Sequence, residues 1–202
     1  MEIEYKWVLA DSAQAAQLAA YCEQWAARDP QTISLLATYY DTPEQLLKEM
    51  HGAVRLRAEN GVGVCCLKLP CQSEGEGYKA REEYEVAAES LEEGLRLLPG
   101  VGAPAELVER LLASELAPTA QTDFVRTAYD LCIDNERGRC TAVLAVDDGF
   151  LRNGPREAAL LELELEYADG EQPAFHAFAH ELAERFSLRV QPLSKLARAA
   201  QL

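Results

Sequence analysis

The chain has 202 residues, 49% of them hydrophobic and 26% charged, the balance of a globular protein with enough chain for one sizeable core. Nineteen basic residues against 34 acidic ones leave a net charge of −15. That excludes nonspecific binding to duplex nucleic acid, which depends on cationic side chains releasing counterions, and it disfavours an anionic membrane surface. No apolar run approaches the roughly 20 residues that cross a bilayer, and the N-terminus MEIEYKWVLA carries charges from its second residue. No signal peptide and no membrane partner are expected, and the expected compartment is the cytoplasm.

Residues 2–9 alternate, with Glu2, Glu4 and Lys6 on one face and Ile3, Tyr5, Trp7 and Leu9 on the other, which predicts a strand. Asp11 followed by Gln14 predicts a capped helix start. Leu18, Tyr21, Cys22 and Trp25 form its apolar stripe, and Arg28-Asp29-Pro30 its end. Residues 32–41 read as a strand stopped by Pro43, with a short helical turn to Glu49. Residues 53–59 and 62–69 read as a hairpin turning at Asn60-Gly61. A polar loop, 72–77, precedes another alternating strand at 78–87. Residues 91–98 and 105–116 read as helices separated by PGVGAP. Strands follow at 119–134, 140–150 and 158–167, then a helix entered at Pro173 and running to Phe186, and a short one at 194–200. The sum is an α+β fold of about eight antiparallel strands, curved or closed, with helices packed outside, in one domain spanning 1–202.

The polar faces of these strands carry the information. Glu2, Glu4 and Lys6 share one phase, as do Arg55 and Arg57, then Arg81, Glu83 and Glu85, then Glu162, Glu164 and Glu166. Lys68, Arg126 and Asp147 add single charges. A solvated antiparallel face alternates in the same way. Glutamate is nevertheless a poor strand former, and like charges on neighbouring strands repel. If the apolar faces lie under helices, the charges converge inside a closed sheet. Carboxylates there suit hard divalent cations, and arginines and lysines suit phosphate oxygens. A polyphosphate chelated by Mg²⁺ or Mn²⁺ satisfies both.

EIEYK at Glu2–Lys6 resembles the ExExK signature of the CYTH superfamily, the triphosphate tunnel metalloenzymes. The resemblance continues in order through YYDTPEQLL, GAVRLRAENG, CLKLP, REEYEV, TDFVR, AVDDG, LELELEYADGE and LSKLARA. YYDTP, RLRAENG and SKLAR look most like the N-terminal domain of bacterial inorganic triphosphatases; the helical CHAD domain that follows in many of those is not expected. The resemblance implies an eight-stranded antiparallel tunnel barrel that binds a small-molecule triphosphate with Mg²⁺ or Mn²⁺. It implies metal ligation by Glu2, Glu4, Asp147, Glu162 and Glu164, and phosphate binding by Lys6, Arg55, Arg57, Lys68, Arg81, Arg126 and Lys195. Glu83, Glu85 and Glu166 are supporting residues and Arg198 a weaker candidate. The implied activity is hydrolysis of inorganic triphosphate to phosphate and pyrophosphate. Adenylyl cyclisation, hydrolysis of an organic triphosphate such as thiamine triphosphate, and polyphosphate binding without catalysis are the alternatives. No side chain is identified as the general base, and the assembly is expected to be a monomer or homodimer.

The remaining signals are weaker. His176 and His180 stand at i and i+4, a zinc-compatible spacing without a third ligand. Trp7 and Trp25 are expected in the core. The six cysteines are expected as thiols, although Cys132 and Cys140 flank a turn and could face each other. Glycines 61, 63, 75 and 77 read as turn residues, because no GxxxxGK[ST] sequence is present.

Overall fold

The computed structural model describes residues 2–71 and 78–202; of Glu2 and residues 78–80 it describes only the backbone. The strands are β1 (Glu2–Val8), β2 (Gln31–Asp41), β3 (Ala53–Glu59), β4 (Val62–Pro70), β5 (Tyr78–Ala87), β6 (Ala117–Asn135), β7 (Gly138–Asn153), β8 (Arg156–Gly170) and β9 (Arg189–Val190). The helices are α1 (Ser12–Cys22), α2 (Leu46–Glu49), α3 (Leu91–Leu97), α4 (Ala105–Leu112), α5 (Gln172–Arg185) and α6 (Lys195–Ala199). The antiparallel sheet runs β5-β4-β3-β2-β6-β7-β8-β1-β9, and a further pairing of β5 with β1 joins its ends into an eight-stranded ring. The two-residue β9 lies against Trp7 and Val8 and has no sequence signal of its own.

Alternation decides which side chains enter the ring. The outward residues of β1, β7 and β8, among them Trp7, Leu144, Leu163 and Leu165, are buried with Leu18, Phe175, Phe178 and Leu182 of α1 and α5. Each such side chain contributes roughly 1.5–3 kcal/mol by leaving water. On the far side, Val54, Cys65 and Leu67 pack under α3 and α4 through Leu95, Leu107, Val108 and Leu111. Gly94 makes that approach possible, since a Cβ there would sit 2.1 Å from Cys65 Cβ. The charged residues of the same strands therefore face inward.

A third apolar cluster lies within the ring. Leu35, Ala37 and Tyr39 of β2, Phe124 of β6, Leu151 and Leu160 pack with Ala199, and Leu196 and Leu202 lie against them. The C-terminal helix α6 thus packs against inward-facing residues, whereas α1, α3, α4 and α5 pack outside. Gly149 faces Phe124 across the β6–β7 ladder; a Cβ there would lie 2.5 Å from Phe124 Cα and 2.3 Å from Asp123 O.

Local signals hold at most element starts. Asp11 caps α1 by accepting from Gln14 N at 2.8 Å, and Gln14 Oε1 accepts from Ala10 N at 2.7 Å. The helix is shorter than its stripe suggests and gives way to a 3₁₀ turn at Glu23–Trp25. Asn60 and Gly61 both take positive φ, 49° and 88°, as a tight hairpin turn requires. Helix α4 ends at Leu112, and β6 begins two residues earlier than its alternation indicates. Cys132 and Cys140 stand opposite Thr141 and Ile133 in the ladder, Cys132 exposed and Cys140 buried. They lie on opposite faces, and all six cysteines are free thiols, which removes the disulfide alternative.

Candidate active site

The inward faces enclose a cavity of ≈ 180 Å³. Register places its charges in rows. Arg126 of β6 lies beside Asp147 of β7, which lies beside Glu162 of β8. One row along, Glu164 of β8 lies beside Lys6 of β1, and next Glu166 lies beside Glu4. Across the ring, Tyr39 stands beside Arg55, Arg55 beside Cys66, and Lys68 beside Glu83.

On the β6–β7–β8 wall three carboxylates converge. Asp147, Glu162 and Glu164 each bring an oxygen within 4.8 Å of the others, and all three are buried. Arg126 donates to both oxygens of Asp147 at 2.7 Å and also contacts Glu164. Lys195 Nζ lies 2.7 Å from Asp147 Oδ2 and 2.8 Å from Glu164 Oε1, and it contacts Glu162. Arg198 reaches Glu162, and Lys6 Nζ lies 3.1 Å from Glu164 and 3.2 Å from Glu4. Burial by itself lowers the pKa of Lys195, but Asp147, Glu164 and Glu162 outweigh it and hold the ammonium above its usual range. Burial likewise raises Glu164, yet Lys195, Lys6 and Arg126 keep it well below the ordinary carboxylate value. Glu162 goes up instead, because its burial and the Glu164 charge exceed the help of Lys195.

On the β3–β4–β5 wall the cations dominate. Arg55 lies 3.8 Å and 3.9 Å from Glu83 and Glu85, separations too long for hydrogen bonds. Its Nη1 donates to Tyr39 Oη at 3.3 Å. Arg57 donates to Glu85 at 3.1 Å and pairs with Glu59. Lys68 lies 3.0 Å from Glu83, which also accepts from Cys66 Sγ at 3.0 Å. Burial raises the Cys66 thiol strongly; Arg55 opposes it and Glu83 adds to it. Among the described residues, Nε of Arg55 and of Arg57 is buried without an acceptor.

The cavity therefore gathers Glu4, Lys6, Arg55, Arg57, Lys68, Arg81, Arg126, Lys195, Glu83, Glu85, Glu164 and Glu166 in its lining. Asp147 and Glu162 lie behind that surface, covered by Lys195 and its neighbours. The side chain of Glu2, expected among the ligands, lies outside the described residues; its backbone pairs with Arg81. Arg126 and Lys195, expected on phosphate, rest here on carboxylates. Arg198, the weaker candidate, contacts Glu162 directly. Sequence reasoning did not single out Tyr39, Cys66 and Phe124 as lining residues, although each is in phase with charged or buried inward positions. His176 and His180 stand outside the ring, where Tyr5 Oη lies 2.9 Å from His176 Nδ1.

The three carboxylates fit a hard divalent cation. All are oxygen donors, they are preassembled by strand register, and Glu162 Oε1 is buried with an ion pair but no hydrogen bond.

By fold and interior the molecule is an antiparallel barrel with a wall rich in basic side chains facing a carboxylate wall. A model of the CYTH domain matches residues 1–200, and the chain belongs to that family. Solved structures agree on the fold. A Hippeastrum protein, described as a candidate adenylyl cyclase with a dominant triphosphatase activity, superposes with TM-score 0.64 at 17% identity, over 100% of this chain and 96% of its own. A Pyrococcus horikoshii protein gives 0.62 at 16%, over 100% and 99%. A candidate adenylate cyclase from Bacillus halodurans gives 0.52 at 17%, over 96% and 94%. Among the described residues, no helix is long and apolar enough to cross a membrane.

Proposed function

We propose that the chain hydrolyses inorganic triphosphate to phosphate and pyrophosphate with Mg²⁺ or Mn²⁺. The observation that carries this reading is the pair of buried arginine Nε donors without acceptors, on a cationic wall facing three converging carboxylates across one cavity. Unpaired buried donors are costly unless a ligand supplies acceptors. Arg55 and Arg57 stand two apart on one strand, about 7 Å along it, which suits successive phosphates of a linear chain. Their planar donor forks hold two oxygens at once. Lys68, Lys6 and Arg81 surround the same space and offset charge as the terminal phosphoryl group leaves. Asp147, Glu162 and Glu164, with Glu4 beside them, would hold the metal. Bound Mg²⁺ or Mn²⁺ supplies Lewis-acid polarisation of phosphoryl oxygens and lowers the pKa of water. Glu83 and Glu85 orient the basic residues through the ion pairs described above.

The charged residues of the lining outnumber its apolar ones, Leu35, Phe124 and Leu196 among them, which favours an inorganic chain. Tyr39 and Phe124 also offer two aromatic rings to a base, and that supports adenylyl cyclisation or organic triphosphate hydrolysis as the second reading. The test is phosphate release from triphosphate, ATP and thiamine triphosphate with Mg²⁺, Mn²⁺ or EDTA. Triphosphate with metal is expected to give the highest kcat/KM. No release above background with any metal ends the hydrolase reading, and cyclic AMP formed faster than phosphate selects the second.

A further inference from the structure

We propose that Lys195 is a movable counterion that makes metal binding and triphosphate binding interdependent; this rests on the reading of the carboxylates as the metal site. Lys195 Nζ contacts all three carboxylates of the triad at once. Arg126 holds Asp147, Arg198 holds Glu162, and Lys6 bridges Glu164 to Glu4. With Glu4 counted, four carboxylates are thus matched by four basic side chains, and the cluster is neutral as it stands. A divalent cation entering it would leave an excess of two positive charges in a buried site, which is strongly unfavourable unless a cation withdraws.

Lys195 is the cation placed to withdraw. Arg126 is fixed on Asp147 by two parallel hydrogen bonds and belongs to β6, in the middle of the sheet. Lys195 instead opens the five-residue α6, which follows the exposed Pro192 and Leu193. Its side chain also lines the cavity, within the space bounded by Arg55, Arg57 and Lys68. Phosphate oxygens there would receive the displaced ammonium. The metal then enters a triad the lysine has left, and the lysine regains a counterion only when triphosphate is present. Each ligand raises the affinity for the other. Arg198, on the same helix, holds Glu162, so the exchange also loosens the docking of α6.

The test uses Mn²⁺ alone, without triphosphate, titrated calorimetrically into the whole chain. Lys195→Met keeps most of the side-chain volume and removes the charge. It should bind Mn²⁺ at least about tenfold more tightly than the wild type, because the competing cation is gone. Lys68→Met, the same charge change on the opposite wall, should alter Mn²⁺ affinity by less than about threefold. Hydrogen exchange on the wild type gives a second reading that needs no variant to fold: saturating Mn²⁺ should speed exchange of the α6 amides, and triphosphate added with EDTA should slow it. Equal or weaker Mn²⁺ binding by Lys195→Met, or unchanged α6 exchange at saturating Mn²⁺, overturns the counterion role while leaving the hydrolase reading intact. No Mn²⁺ binding by any form overturns both the counterion role and the reading of the triad as the metal site.

Discussion

On the β6–β7–β8 wall of the cavity Asp147 and Glu162 lie deepest, Arg126 and Arg198 reach over them, and Lys195 is buried among the carboxylates. Asp147 and Glu162 side chains are 0% exposed, against 21% for Arg126 and 18% for Arg198. On the β3–β4–β5 wall the order reverses. Arg55 and Arg57 are 13% and 15% exposed, while Glu85 is 38% exposed at the rim. The deeper charge is the one water solvates least, so it gains most from a ligand of opposite sign. One barrel therefore presents a wall whose deepest charges are carboxylates and a wall whose deepest charges are arginines, and Arg55 differs from the first wall in contact length. The first is tied by bonds at 2.7–2.8 Å. The second leaves Arg55 at 3.8–3.9 Å from its glutamates.

The comparison is most exposed to failure at Asp147. Asp147→Asn keeps shape but removes the charge that Arg126 and Lys195 share. Breaking a buried pair from one side typically destabilises by about 3–5 kcal/mol. Denaturant unfolding without metal should show a loss of that order, and triphosphate hydrolysis should fall by about a hundredfold or more. A stability change below about 1 kcal/mol would mean that the carboxylate wall is not the tightly paired structure described.

The opposite wall should answer with function rather than stability. Arg55→Ala and Arg57→Ala each remove a charge-assisted contact worth roughly 1.5–3 kcal/mol to a bound phosphate, which corresponds to about ten- to a hundredfold in kcat/KM. Unfolding free energy should change by less than about 1 kcal/mol, since their present partners are long or rim-exposed. Lysine at either position should rescue in part, having charge without the fork. Unchanged kinetics would place both arginines outside the site.

The alternation of Glu2-Glu4-Lys6, Arg55-Arg57 and Glu162-Glu164-Glu166 was sufficient to read the walls, because strand period 2 fixes faces without any knowledge of partners. The ordered motifs extended that to ring closure and to the CYTH family. Pairing across the ring was not legible. That Lys195 rests on the triad, and that Arg198 holds Glu162, depends on where a five-residue helix docks, and its periodicity is too short to show this. Tyr39 read as one residue of the 32–41 strand and of the YYDTP motif; its hydroxyl meets Arg55 only through the β2–β3 register. The adjacent Asp41 has a structural role, accepting from Thr42 N, Leu47 N and Lys48 N at the start of α2. The opposite faces of Cys132 and Cys140 follow from a one-residue offset that a turn motif does not specify.

A smaller effect is expected from pH. Lys195 and Lys6 both titrate above their ordinary 10.5 in the folded chain: burial lowers each, and the surrounding carboxylates more than reverse it. A raised folded pKa gives stability that is fully present below the unfolded value and lost as pH rises through the folded one. The carboxylate wall should therefore keep this contribution up to pH 10.5 and begin to lose it above. Melting temperature measured from pH 8 to 12 should show a decline above 10.5 that is shallower in Lys195→Met. The same slope in both would show that the ammonium adds no linkage.

The smallest expected effect reads the cationic wall through a thiol. Cys65 and Cys66 are neighbours on β4, Cys65 outward under α3 and Cys66 inward beside Glu83. Burial raises both, Cys65 to about 11 and Cys66 further. Both should therefore alkylate slowly at pH 8, long after the exposed Cys132. Triphosphate in EDTA, at a concentration equal to its Kd, halves the empty fraction and should slow Cys66 labelling about twofold if that thiol is reached through the cavity. Cys65 serves as the control. If labelling required global unfolding, the ligand would protect both cysteines by the same factor, because both would react only in the unfolded chain. Protection confined to Cys66 would locate the anion on the β3–β4–β5 wall. Equal protection would show binding without locating it, and no protection of either would mean that triphosphate does not bind without metal.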